Sequence, residues 1–182
     1  RMLMLDERGD SAAIVEVDVK TGATKDLYTT PERLEGGACD ATLSHCVLKQ
    51  SVPKDDRNTY GDDPSHLVWL EGSTVTPLAI GTIQKASLAS APLSPDARFI
   101  VAHDYASSPS KLVAFDRTTK KLFELAGIEK GSMDVVAWDG TTAIIEKSTW
   151  KEGEPPTILE WQLGARGATK PSARPADASL TS

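Results

Sequence analysis

One pattern recurs four times along this chain, at a spacing that points to a repeat architecture. Each copy is an alternating apolar stretch that ends in an acidic or amide residue and runs into a polar turn. The copies are Ile14-Val15-Glu16-Val17-Asp18 before Lys20-Thr21-Gly22, Leu67-Val68-Trp69-Leu70-Glu71 before Gly72-Ser73, Leu112-Val113-Ala114-Phe115-Asp116 before Arg117-Thr118-Thr119, and Ile158-Leu159-Glu160-Trp161-Gln162 before Leu163-Gly164. Asp18, Glu71, Asp116 and Gln162 are 53, 45 and 46 positions apart. The longer first interval contains residues 53–64, from Pro53 to Pro64, which lack an apolar period and are crowded with turn formers. That segment reads as an insertion between strands.

Further strand-like runs precede the marked segments. Phe99-Ile100-Val101-Ala102-His103 and Ala143-Ile144-Ile145-Glu146-Lys147 follow the turn signals Ser94-Pro95-Asp96-Ala97 and Asp139-Gly140-Thr141. Upstream again lie Ala86-Ser87-Leu88-Ala89-Ser90 and Asp134-Val135-Val136-Ala137-Trp138. No window of a dozen residues keeps a helical apolar stripe without a glycine, proline or Asp-Gly break, whereas alternation recurs throughout. The chain is therefore predicted to be all-β, with units of about four short antiparallel strands. A single twisted sheet with two apolar faces is stable only when another stacks on it, so the architecture expected is a β-propeller. Three fairly complete units and the last two strands of an earlier one make about three and a half blades, a partial ring. The ring is expected to be completed by another protein chain, or by a missing part of the same protein.

Composition narrows the partners. Lys plus Arg is 20 and Asp plus Glu is 26, a formal charge of −6, which argues against nucleic acid. No apolar run approaches the length of a membrane span, and Met2-Leu3-Met4-Leu5 is too short an apolar block for a secretory signal, so the chain reads as soluble. The two cysteines, Cys39 and Cys46, would be able to pair if they faced each other on neighbouring strands, and extracytoplasmic localisation is favoured in that case. Otherwise they are buried thiols. Residues 1–165 are assigned to the propeller segment, and residues 166–182, small and polar with two prolines, to a C-terminal tail without a fold of its own.

Leu93-Ser94-Pro95-Asp96-Ala97-Arg98-Phe99-Ile100-Val101-Ala102, followed by Lys111 to Lys120, resembles the Ser-Pro-Asp-Gly-Arg signature of Tol-type and prolyl-oligopeptidase-type propeller blades. Ala12 to Thr24 looks like the second half of the same signature. Ala97 stands where the signature has glycine, which puts a left-handed conformation there in question. The resemblance implies a fold and leaves function open, because such propellers serve as binding platforms, ligand sites and gates in front of peptidases.

Candidate chemistry is sparse. No Gly-x-Ser-x-Gly occurs, so no catalytic residue and no enzyme activity is assigned to this chain. His45, Cys46, His66, Asp62 and Asp63 are types that hold metals, but no ligand spacing joins them, and neither a metal nor a cofactor is expected. Asp55, Asp56, Asp62 and Asp63 lack the pattern of a calcium loop. Trp69, Phe115 and Trp161 fall at equivalent blade positions within a residue and read as core pillars. Trp150 differs, since residues 148–156 form a polar hairpin loop on which an aromatic is a natural anchor. The binding residues predicted are Trp150, Tyr60, Asp62, Asp63 and His103. The function expected is a non-catalytic scaffold that binds protein through its loops. The alternative is a substrate-gating propeller of a larger prolyl-oligopeptidase-type serine hydrolase.

Overall fold

The structure is a computed structural model and describes residues 1–51, 65–78, 80, 86–105, 108–125, 131–164, 167–168 and 172–173. All regular structure among them is β, and the chain divides into two compact units, Arg1–Lys85 and Ala86–Ser182.

The first unit holds two antiparallel sheets. One is ordered β1(Met2–Arg8), β2(Ser11–Val17), β3(Thr24–Thr30); the other is β4(Arg33–Cys39), β5(His45–Ser51), β6(Ser65–Glu71), β7(Thr74–Leu78). The second unit begins with β8(Ala86–Leu93), β9(Phe99–Asp104), β10(Lys111–Asp116) and β11(Lys121–Leu125), a four-stranded meander. Its other sheet is β12(Gly131–Asp139), β13(Thr142–Thr149) and β14(Thr157–Gly164), with the short β15(Gly167–Ala168) and β16(Ser172–Ala173) both paired to β14. Four antiparallel sheets in sequence, each a meander, make the architecture a partial β-propeller.

The earliest unit contributes three strands where two were expected. The strand that was missed is β1, whose Met-Leu-Met-Leu start has no polar alternation to mark it as half-buried. It pairs with β2 through a two-residue loop, Gly9-Asp10, and Glu71-Gly72-Ser73-Thr74 and Asp139-Gly140-Thr141-Thr142 repeat that hairpin. In all three the glycine comes first and has φ near 60°, at 61°, 61° and 57°. This is the loop whose twist matches that of the flanking strands.

Each unit buries apolar side chains between its own two sheets. In the first, Ala12 and Ile14 of β2 pack with Leu34, Cys46, Leu48, Val68 and Leu70. In the second, Phe99, Val101, Leu112 and Ala114 meet Val135, Ala143, Ile145, Trp161 and Leu163. β8 and β12 run side by side, and Trp138 Nε1 donates to Ala91 O at 2.8 Å across the junction.

The three aromatic pillars are not one set. Phe115 and Trp161 directly precede the marker residues Asp116 and Gln162, but the counterpart before Glu71 is Leu70, and Trp69 lies one residue earlier. A one-residue offset in a strand turns a side chain to the opposite face. Leu70 accordingly joins the first unit's core, while Trp69, also buried, stacks on the His45 ring at 5.6 Å.

Candidate functional site

Each sheet has a turn end and a loop end, and the blade signature belongs to the turn end. Ser94 Oγ donates to Asp96 Oδ1 at 2.6 Å and accepts from Phe99 N at 2.8 Å, which closes the turn between β8 and β9. Ala97 has φ 55°, so the left-handed conformation is kept without glycine. The turn between β4 and β5 is its counterpart, with Leu43 at φ 56° and backbone bonds from Asp40 N to His45 O and Leu43 N to Asp40 O. Asp116 is fully buried and accepts from Arg98 Nε at 3.1 Å and Nη2 at 2.7 Å, from Thr118 N at 2.9 Å, and from Thr119 N and Oγ1. The Arg98 guanidinium, aided by the Thr119 and Thr118 bonds, holds the Asp116 carboxyl far below its ordinary range against the cost of burial. Asp40 is pushed up by burial, and donors from His45, Ser44 and Thr42 outweigh this to bring it down to about 2. With their carboxylate oxygens accepting bonds from neighbours in the same turns, these residues shape turns and are not poised for chemistry.

The loop end carries different chemistry. In the first unit Gln50, 2% exposed, donates from Nε2 to Tyr28 Oη at 2.6 Å, and its Oε1 accepts from His66 Nε2 at 3.2 Å. The same His66 nitrogen lies 3.3 Å from Glu32 Oε2. Beside this chain, Ser51 donates to Glu35 at 2.5 Å and Lys49 Nζ lies 2.6 Å from the other Glu35 oxygen. Partial burial pushes the Glu35 carboxyl up, and the Lys49 and Ser51 bonds more than offset it, so the net shift is downward. β4 bulges between Leu34 and Gly37, and a Cβ on Gly37 would sit 2.3 Å from Val47 O, so only glycine fits there.

In the second unit His103, near the end of β9, and Tyr105, just past it, have their rings stacked at 5.4 Å and 15°. His103 Nε2 lies 3.1 Å from Asp134 Oδ1 on β12, and Asp134 also accepts from Ser90 N at 3.0 Å and from Ser90 Oγ. Partial burial, and then the Asp134 charge, push the Tyr105 phenol up. Tyr105 is 54% exposed. At the same end, the hairpin from β13 to β14 carries Trp150, 74% exposed. Its loop is braced by two bonds, Thr149 Oγ1 donating to Glu154 at 2.5 Å and Glu154 N to Lys151 O at 3.2 Å.

Trp150 and His103 thus lie at the loop end of one unit, while Tyr60, Asp62 and Asp63 lie outside the described residues, between β5 and β6. Asp134, Ser90, Tyr28, Gln50 and Glu32 escaped the sequence reading. Gln50 and His66 are opposite in register, and Ser90 and Asp134 meet across two sheets, so no spacing along the chain joins them. Cys39 and Cys46 face each other in register and form a disulfide. Cys46 is therefore no metal-binding thiolate, and among the described residues no group of three or more His, Cys, Asp or Glu lies close enough to hold a metal.

No protein-family model matches the chain, and no curated protein matches it. Solved structures do. An oligogalacturonate lyase in complex with manganese superposes with a TM-score of 0.66 at 12% identity, over 96% of this chain and 53% of that one. TolB from Acinetobacter baumannii superposes with a TM-score of 0.54 at 12% identity, over 87% of this chain and 37% of that one. Both are β-propellers, which settles the repeat and the fold. The chain spans between a third and about a half of their lengths.

Proposed function

We propose that this chain is a propeller segment that binds another protein through its loop end, without catalytic residues of its own, in an assembly whose remaining blades come from another chain or from further parts of the same protein. The observation that carries this reading is Trp150. A tryptophan 74% exposed on a braced hairpin costs solvation and contributes nothing to either core, whereas a partner pocket would bury it. Tyr105, 54% exposed, is a second aromatic at the same end of the same unit. Manganese and oligogalacturonate are not carried over, because 12% identity shows the fold alone.

The test places a photo-crosslinking amino acid at position 150, identifies the captured protein, and measures its affinity for the chain. Trp150→Ala is expected to weaken binding by about 2 kcal/mol, roughly thirtyfold, with the melting temperature unchanged. Normal capture with reduced thermal stability would make Trp150 a structural residue and overturn the proposal.

A further inference from the structure

Two oxygen atoms compete for one ring nitrogen at the loop end of the first unit. Gln50 near the end of β5 and His66 near the start of β6 are opposite in register, and alternation puts both on the face that carries Cys46, Leu48, Val68 and Leu70 into that unit's core. Glu32 lies on the connection from β3 to β4, where its N–H donates to Thr30 Oγ1 at 3.1 Å. The three side chains converge on His66 Nε2, with Gln50 Oε1 at 3.2 Å and Glu32 Oε2 at 3.3 Å.

As hydrogen bonds these contacts are poor. Nε2 carries at most one hydrogen in any tautomer or charge state of the ring, and two acceptors share it at distances beyond the usual value of about 2.9–3.0 Å. As edges of a coordination sphere the same distances fit. A zinc-like cation binds imidazole nitrogen and carboxylate oxygen at about 2.1 Å, so adjacent donors stand about 3.0 Å apart at an octahedral angle and about 3.4 Å apart at a tetrahedral one. The observed 3.2 and 3.3 Å lie between these values. The donors are also positioned in advance. Gln50 is 2% exposed, and its Nε2 donates to Tyr28 Oη at 2.6 Å, which fixes the amide with its oxygen toward His66. The His66 and Glu32 side chains are 43% and 30% exposed, so solvent reaches them. One donor is an amide oxygen and the set meets only through strand register, so spacing along the chain does not mark the place.

We propose that His66 Nε2, Glu32 Oε2 and Gln50 Oε1 bind a first-row divalent cation of the zinc type. The cation sits on the neutral ring, whose one hydrogen is then on Nδ1. An imidazole with one carboxylate and one amide oxygen suits such a cation better than calcium, which takes six or more oxygens. Three protein donors leave a coordination position for water or a further ligand. The site belongs to the first unit and is independent of the Trp150 hairpin.

The test titrates the tag-free 182-residue chain with Zn²⁺, following heat by calorimetry and the ring nitrogen resonances of its three histidines by NMR. One equivalent should bind with a Kd below about 100 µM, shifting His66 Nε2 and leaving His45 and His103 in place. Ca²⁺ in about tenfold excess should not compete. Glu32→Gln, which keeps an acceptor but loses the charge, and Gln50→Leu should each bind at least about tenfold more weakly, and His66→Ala should not bind. The ring resonances of the unsubstituted chain decide the matter even where a variant fails to fold. No saturable binding, equal shifts at all three histidines, competition by Ca²⁺, or unchanged affinity in a folded Glu32→Gln, Gln50→Leu or His66→Ala variant would each overturn the proposal.

Discussion

Replacing Asp116 with Asn keeps the shape of a buried side chain that accepts five hydrogen bonds and removes its charge. The Asn carbonyl can still take the bonds that reach Oδ1 from Arg98 Nε, Thr118 N and Thr119 N. The other oxygen accepts from Arg98 Nη2 at 2.7 Å and Thr119 Oγ1 at 2.8 Å, and there an amide nitrogen would face the guanidinium donor to donor. Hydrogen bonds to charged groups contribute about 1.5–3 kcal/mol, and breaking a buried pair costs up to about 5, so about 3 kcal/mol is expected for Asp116→Asn. In a chain of this length that corresponds to a fall of roughly 6–12 °C in melting temperature. The dependence on pH checks the cause. Because the folded carboxyl titrates below the unfolded one, its stabilisation is complete above the unfolded value near pH 4 and is lost as pH falls further toward the folded value. The gap between wild type and variant, followed by calorimetry, should be flat from about pH 5 to 7 and narrow progressively below about pH 4. A gap that stays constant down to pH 2, or one below about 1 kcal/mol at pH 7, would refute the assignment.

Three further substitutions probe the scaffold. Ala97→Gly should stabilise the chain by about 1 kcal/mol in urea unfolding, since φ 55° costs an L-residue energy that glycine does not pay; no gain would mean that the buried Cβ matters more than the backbone. Trp161→Ala should cost roughly 3–5 kcal/mol by the same measurement, because the ring is 1% exposed within the second unit's core. Gly37→Ala should disrupt the β4 bulge, since the added carbon meets the Val47 carbonyl and the Leu48 side chain; near-native circular dichroism with unchanged stability would contradict that geometry.

Where the information was local, the sequence was enough. Alternation over Leu112–Asp116 and its three relatives, with turn residues at each end, specifies strands and hairpins, and a repeat of such units specifies stacked sheets. The propeller followed from that, and Trp150 could be singled out because a polar hairpin loop offers it no core. β1 was hidden because Met2-Leu3-Met4-Leu5 alternates nothing, and its assignment depends on the partner strand β2.

Tertiary structure decided what depends on register and on neighbouring sheets. Trp69 and Trp161 look equivalent along the chain, yet one residue of offset sends them to opposite faces. Ser90 and Asp134 bond across two sheets, and Cys39 meets Cys46 only because β4 and β5 pair in that register. The linear order of residues thus determined which segments become strands, since that choice depends on neighbours one or two positions away. Which polar groups meet, and which face each side chain takes, was settled only when the sheets formed, because those contacts join residues far apart in the chain.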